Sequence, residues 1–166
     1  MQAILVFLVL ATGLLAFSVS YTKSFRVKNE IRRIIEQYEG LTESAATKID
    51  AVAEKYNYTF PTPNDYVNIC GELVGKDWKA YRSTLSNGET AVFCIKCTLS
   101  DSVGTSEGKN PYKGAYYNIA TFINIDIPLI NKIFPKNAGF LRVEGETELI
   151  YSSGTDTEVC RYANID

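Results

Sequence analysis

Histidine is missing from all 166 residues. Its absence removes the commonest general base and the commonest metal ligand, so neither a cysteine–histidine dyad nor a serine triad can be assembled. No glycine-rich phosphate loop is present, neither GxGxxG nor GxxxxGK[ST]. Large charge excess is missing too. The net charge is −2, which leaves no broad basic surface for nucleic acid and no acidic tail for a cationic partner. Residues 2–22 contain no Lys, Arg, Asp or Glu. These absences point away from catalysis and cofactors, and no metal site is expected.

What is present is apolar and aromatic: 46% hydrophobic residues, with eleven tyrosines. That is enough for one compact domain plus an appendage. The appendage is the opening stretch MQAILVFLVLATGLLAFSVS. Residues 3–19 hold eleven Leu, Ile, Val or Phe and favour a bilayer by roughly 3–7 kcal/mol before Thr12, Gly13 and Ser18 are deducted. A helix from Ala3 to Tyr21 is about 28 Å long, close to the ~30 Å hydrocarbon core. A cleaved secretion signal is the alternative, with "SVS" at 18–20 as its cleavage site, but a basic n-region is lacking.

Helical periodicity continues past the apolar stretch. Val27, Ile31, Ile34 and Tyr38 fall on one stripe, with Glu30, Arg33 and Glu36 away from its centre. Residues 3–39 therefore read as one helix, about half of it too long for lipid, whose outer stripe is expected to pack on neighbouring subunits. Gly40 supplies a C-cap, and Thr42 can N-cap a second helix that places Ile49, Val52, Ala53 and Tyr56 on one face. That helix ends before NYTFPTP, where Pro61 and Pro63 prevent continuation. "NYT" at 57–59 also fits a glycosylation sequon, a pattern common by chance.

Beyond Pro63 the period changes from 3.6 to 2. Asn87-Gly88 is a hairpin signal suited to a two-residue type I′ turn. With that turn Ser86 faces Glu89, Lys79 faces Lys96, and Trp78, Ala80, Ala91, Phe93, Ile95, Cys97 and Leu99 share the core face. Residues 115–127 read as a long strand with Tyr117, Ile119, Thr121, Ile123, Ile125 and Ile127 on one side, ended by Pro128. Residues 139–152 read as another, with Leu141, Val143, Thr147, Leu149 and Tyr151 inward and Arg142, Glu144, Glu146 and Glu148 outward. Gly145 sits mid-strand there and is expected to mark a bulge. Residues 66–74 and 157–163 are shorter strand candidates, and residues 100–114 form a long polar connection.

The resulting organisation is α+β: an N-terminal transmembrane and extended helix (1–40), a second helix (41–57) and an antiparallel β-sheet domain (58–166). With no β–α alternation, a parallel nucleotide-binding sheet is excluded.

The four cysteines, Cys70, Cys94, Cys97 and Cys160, lie beyond the apolar stretch. "CIKC" at 94–97 suggests zinc or redox chemistry, but strand residues three apart point to opposite faces, so Cys94 and Cys97 cannot readily grip one ion or each other. Two disulfides are expected, as in an oxidising compartment, and strand parity favours Cys70–Cys94 with Cys97–Cys160 among the three pairings. Four reduced buried thiols are the alternative in a cytoplasmic domain. The glutamates of 144–148 and Asp126 offer acid/base pairs or calcium ligands, though an exposed strand face requires such alternation for solvation alone. Tyr112, Tyr116 and Tyr117 can form a surface contact patch, or can pack. Orientation is in conflict: the basic run at Lys23, Arg26, Lys28, Arg32 and Arg33 argues for a cytoplasmic domain, cysteine usage for an external one. The external orientation is the expectation.

The apolar helix running into FRVKNEIRRIIEQYEGLTESA, the strand closing in FINIDIPLI, and VEGETELIYS together resemble the small pilin-like membrane proteins of tight-adherence (Tad-type) and related type IV pilus systems. The resemblance implies a pilin-like fold and a non-enzymatic subunit, anchored by a single pass with its sheet domain outside the membrane. It implies partners among other pilin-like subunits or pilus and secretion machinery, including on surface filaments. A monomeric anchored domain that binds a ligand through residues 100–114 is the rival reading.

Overall fold

In the computed structural model the described residues are 2–59, 70–71, 74–100, 113–124, 140–152 and 160. α1 (Gln2–Gln37) is a single unbroken helix, about 54 Å long at 1.5 Å per residue. It ends in a Schellman arrangement: Gly40 N–H donates to Ile35 O at 2.9 Å and Glu39 N–H to Glu36 O at 3.4 Å. The left-handed residue is therefore Glu39 (φ 53°), one place before the glycine expected to cap the helix. Thr42 caps α2 (Glu43–Lys55), its side chain accepting from Ala45 N–H at 3.2 Å. α2 closes the same way as α1, with Asn57 left-handed and Tyr58 N–H bonded to Ala53 O.

The sheet is antiparallel throughout, in the order β1 (Lys79–Thr84), β2 (Thr90–Ser100), β3 (Lys113–Asn124), β4 (Phe140–Glu146); β5 (Ile150–Ser152) also pairs with β3. α1 and α2 cover one face. Their Val27, Ile31, Ile35, Ile49 and Ala53 interlock with Tyr81, Phe93, Ile95, Tyr117 and Ile119. The opposite face is covered near Cys70: Cys70, Val92, Cys94, Ala120 and Phe122 form a second buried cluster, with Val74, Trp78 and Ala80 against it. Both faces of the sheet centre are dry, which is why residues 91–95 are buried without alternation.

The hairpin register differs from the expected one. Leu85 N–H bonds Glu89 O, Gly88 N–H bonds Leu85 O, and Gly88 has φ 82°. These features make a three-residue loop with glycine in the left-handed position. The pairing shifts by one, so Lys79 lies opposite Ile95 and Tyr81 opposite Phe93. A one-residue slip exchanges the faces of the strand. Tyr81 and Ser83 enter the helix-side core, while Trp78 and Ala80 go to the opposite face. Tyr81 stacks on Phe93 at 4.6 Å, and its hydroxyl donates to Asp50 Oδ1 at 2.9 Å, linking β1 to α2.

The second discrepancy lies between β4 and β5. Gly145 is paired regularly with Ile119, so it marks no bulge. One extra residue is accommodated between Thr147 and Ile150 while β3 advances from Tyr117 to Ala115. The parity reverses there, so Ile150 is buried and Tyr151 is exposed instead of inward; Leu141, at the start of β4, is exposed as well. Gly145 serves a close approach instead: a Cβ would stand 2.9 Å from the Lys28 side chain crossing it. Cys70 and Gly71 are helical rather than extended, with Val74 and Gly75 N–H both bonded to Cys70 O. The rest of the 66–69 and 157–163 strand candidates, the 101–112 connection, and Ile125, Ile127 and Pro128 lie outside the described residues.

Candidate functional site

Burial divides α1 sharply. The first buried side chain is Ser24, followed by Val27, Lys28, Ile31, Ile34 and Ile35 at helical spacing. Before Ser24 no side chain described in the helix is buried, and Phe7, Leu14, Leu15 and Val19 are each 68–70% exposed. α1 is long and apolar enough to cross a membrane, and its apolar window has no buried share. Residues 3–22, about 30 Å of helix, are thus a stem that the rest of the described molecule leaves bare.

The junction between stem and head is built by polar groups. Ser24 Oγ donates to Phe122 O at 2.9 Å, and Thr121 Oγ1 donates back to Ser24 O at 3.1 Å. The Tyr58 hydroxyl accepts Phe122 N–H at 2.8 Å and lies 3.3 Å from the Val92 and Phe122 carbonyls. Complete burial pushes this phenol above its ordinary range, so it remains protonated; a hydrogen bond to Phe122 opposes the shift in part. At the far end of α1, Glu36 Oε1 accepts from Arg32 and from Glu148 N–H, both at 2.8 Å, tying the helix to the β4–β5 connection. These groups hold α1 on the sheet at both ends of its seated half.

Aromatic rings mark the transition. Phe17, Tyr21 and Phe25 follow one another at centroid distances of 6.3 Å, and Lys28 Nζ lies 4.5 Å over the Phe25 ring. Lys28 is buried without a carboxylate; its Nζ lies 3.4 Å from Glu144 O. Exposed Tyr21 and Phe25 stand where the stem would leave hydrocarbon, a level that favours amphipathic rings.

The expected subunit-packing stripe has a different partner. Val27, Ile31 and Ile34 are buried in the protein's own core, and Tyr38 packs against it half-buried. Helical periodicity correctly marks a face that must be covered, but the covering surface is intramolecular. Any lateral contact of α1 must use the stem or the opposite face.

Cys70 is joined to Cys94 and Cys97 to Cys160, with Cα separations of 5.5 and 5.8 Å, and no described cysteine is free. The two bonds leave β2 on opposite faces, in keeping with the parity of Cys94 and Cys97. Among the described residues no three His, Cys, Asp or Glu side chains converge as a metal site. Glu144 pairs with Arg142 at 2.9 Å and Glu148 lies 4.0 Å from Arg32, so these carboxylates serve surface ion pairs. Tyr117 is fully buried beneath the helices and is no surface contact, Tyr116 is half-buried, and Tyr112 lies outside the described residues. Sequence reasoning missed Ser24, Lys28 and Tyr58. Ser24 extends the Val27 stripe by one turn toward the stem and was the accessible clue.

No known protein family, curated protein or solved structure matches the chain.

Proposed function

We propose that the protein is a non-enzymatic, membrane-anchored, pilin-like structural subunit of a type IV or Tad-type pilus or secretion apparatus, which assembles through residues 3–22 of α1 while its disulfide-bonded head is displayed outside the membrane. The observation that carries this reading is the division of α1: one rigid helix is bare and apolar for its first half and locked into a sheet for its second. An anchor needs only to reach across lipid. A continuous helix from stem to core also fixes the angle and height of the head relative to its neighbours, as a repeating assembly requires.

The Gly13 region, flanked by Thr12 and Ala16, gives the stem small side chains at which helices can approach closely. Thr12 Oγ1 bonds its own backbone at Leu8 O, so its hydroxyl needs no partner in lipid. Two disulfides, linking residues 24 and 63 positions apart, suit a head that works in an oxidising compartment.

The test is single-cysteine crosslinking along the stem of the full chain in membranes, at positions 8 to 19 one at a time. Efficient dimers recurring every three or four positions support lateral assembly. Uniform failure to crosslink contradicts it and leaves the monomeric anchored binding domain, with α1 as a tether.

A further inference from the structure

α1 and α2 run antiparallel, and the face between them turned away from the sheet carries shallow adjoining depressions. One is lined by Arg26, Asn29, Arg33 and Tyr56, the next by Arg33, Lys48 and Lys55, with Glu30 bordering both. Four cations therefore face a single carboxylate. Among the described residues none of the four is in an ion pair; Lys55 only lies over the Tyr56 ring at 5.0 Å. Elsewhere on the same helix Arg32 is paired with Glu36, so the lack of partners is local to this face.

Position gives this face its meaning. If the stem ends near residue 22, Arg26 lies about 6 Å further along the helix, within the headgroup layer, and Arg33 about 16 Å along. α2 returns toward the membrane, so that Tyr56 lines the depression that holds Arg26, and Lys55, one residue before it, lines the adjoining one. Arg33 and Lys48 stand roughly a Debye length above the headgroups, close enough to add to the field. Arginine offers a fork of donors matched to phosphate oxygens, and Asn29 adds an amide donor.

We propose that this face binds the headgroup of an anionic phospholipid, with Arg26 and Lys55 as the nearest of its four cations and Tyr56 seated at the interface. The proposal rests on the membrane placement of the stem. It also gives the basic run at 23–33 a role besides setting orientation: Arg26 and Arg33 are held on one surface by the fold, while Arg32 and Lys28 are used internally.

The test reconstitutes the full chain in nanodiscs of equal phosphatidylcholine and phosphatidylglycerol, extracts it gently, and counts co-purifying lipids by native mass spectrometry. The wild type should enrich phosphatidylglycerol by about fivefold or more, the effect of one cation near the surface. Arg26→Gln with Arg33→Gln should abolish the enrichment, and Glu30→Gln should strengthen it. Equal lipid counts in the wild type, or enrichment unchanged in the double variant, would overturn the proposal. Displacement by excess inorganic phosphate would assign the face to free phosphate instead. Loss of stem crosslinking in the double variant with unchanged lipid counts would assign it to a neighbouring subunit. Failure of the wild type to enter these discs at all would sink the membrane reading itself, a result distinct from entry without lipid preference.

Discussion

The two halves of α1 are equally helical but are held by different things. Residues 24–37 satisfy an amphipathic pattern: one stripe enters the core, and the remainder carries Arg26, Arg32, Arg33, Glu30 and Glu36. Residues 3–22 have no polar stripe, and none of their described side chains is buried. Helices in proteins owe most of their stability to tertiary packing. The stem must obtain the equivalent from lipid or from other stems, whereas the seated half obtains it from the sheet. The lesson is that helix continuity and helix partnership are separate properties, and only the first can be read from an unbroken apolar pattern.

That contrast can be broken most forcefully by charge. Ile31→Glu buries a carboxylate at a fully covered position between α1 and the sheet, and should cost more than about 4 kcal/mol, unfolding the head in a denaturant titration. Leu14→Glu should leave head stability within about 0.5 kcal/mol and remove the chain from membranes instead. Equal loss of head stability in both variants would erase the distinction between the halves.

The disulfides come next. Replacing Cys97 and Cys160 by serine should cost about 4 kcal/mol and replacing Cys70 and Cys94 slightly less, because the first pair closes the longer loop. Urea unfolding of both double variants measures the order. A reversal would show that the Cys70 segment, which shields the second sheet face, matters more than loop length.

Tyr58→Phe should cost about 1–3 kcal/mol, since the Phe122 N–H loses its acceptor in a dry junction. The same tyrosine gives a pH signature. Its folded pKa lies above the unfolded value, so its contribution is intact below about pH 10 and is lost as rising pH ionises the unfolded state. Thermal melts should show a shallower alkaline decline in the phenylalanine variant than in the wild type.

The smallest effect belongs to the cap. Glu39→Gly relieves a left-handed residue and should stabilise the head by up to about 1 kcal/mol, shifting the melting temperature of the seated half without altering membrane insertion.

Much of this molecule was legible in its sequence, and the failures share a cause. The length of α1, the Thr42 cap, the burial of Ile49, Val52 and Ala53, and the parity of the four cysteines all follow from local spacing. The partner of Val27, Ile31 and Ile34 did not follow, because periodicity says that a face is covered and not by what. Asn87-Gly88 announced a hairpin, but whether glycine ends a two- or a three-residue loop is decided by how Tyr81 and Phe93 meet across the sheet. Trp78 and Tyr151 were misplaced for related reasons: a one-residue shift in each pairing inverts a face, and the shift is fixed by packing far away in sequence. The junction of Ser24, Tyr58 and Phe122 joins residues 64 and 98 positions apart, beyond any local signal.

Water access to the two halves of α1 tests the central claim most directly. Single cysteines placed at Leu14 and at Arg33, in the full chain inserted in liposomes, would be exposed to a membrane-impermeant maleimide. Leu14→Cys should label only after detergent is added, and Arg33→Cys should label at once on chains whose heads face outward. Prompt labelling at both positions in intact vesicles would mean that the stem does not lie in the bilayer, contradicting the account.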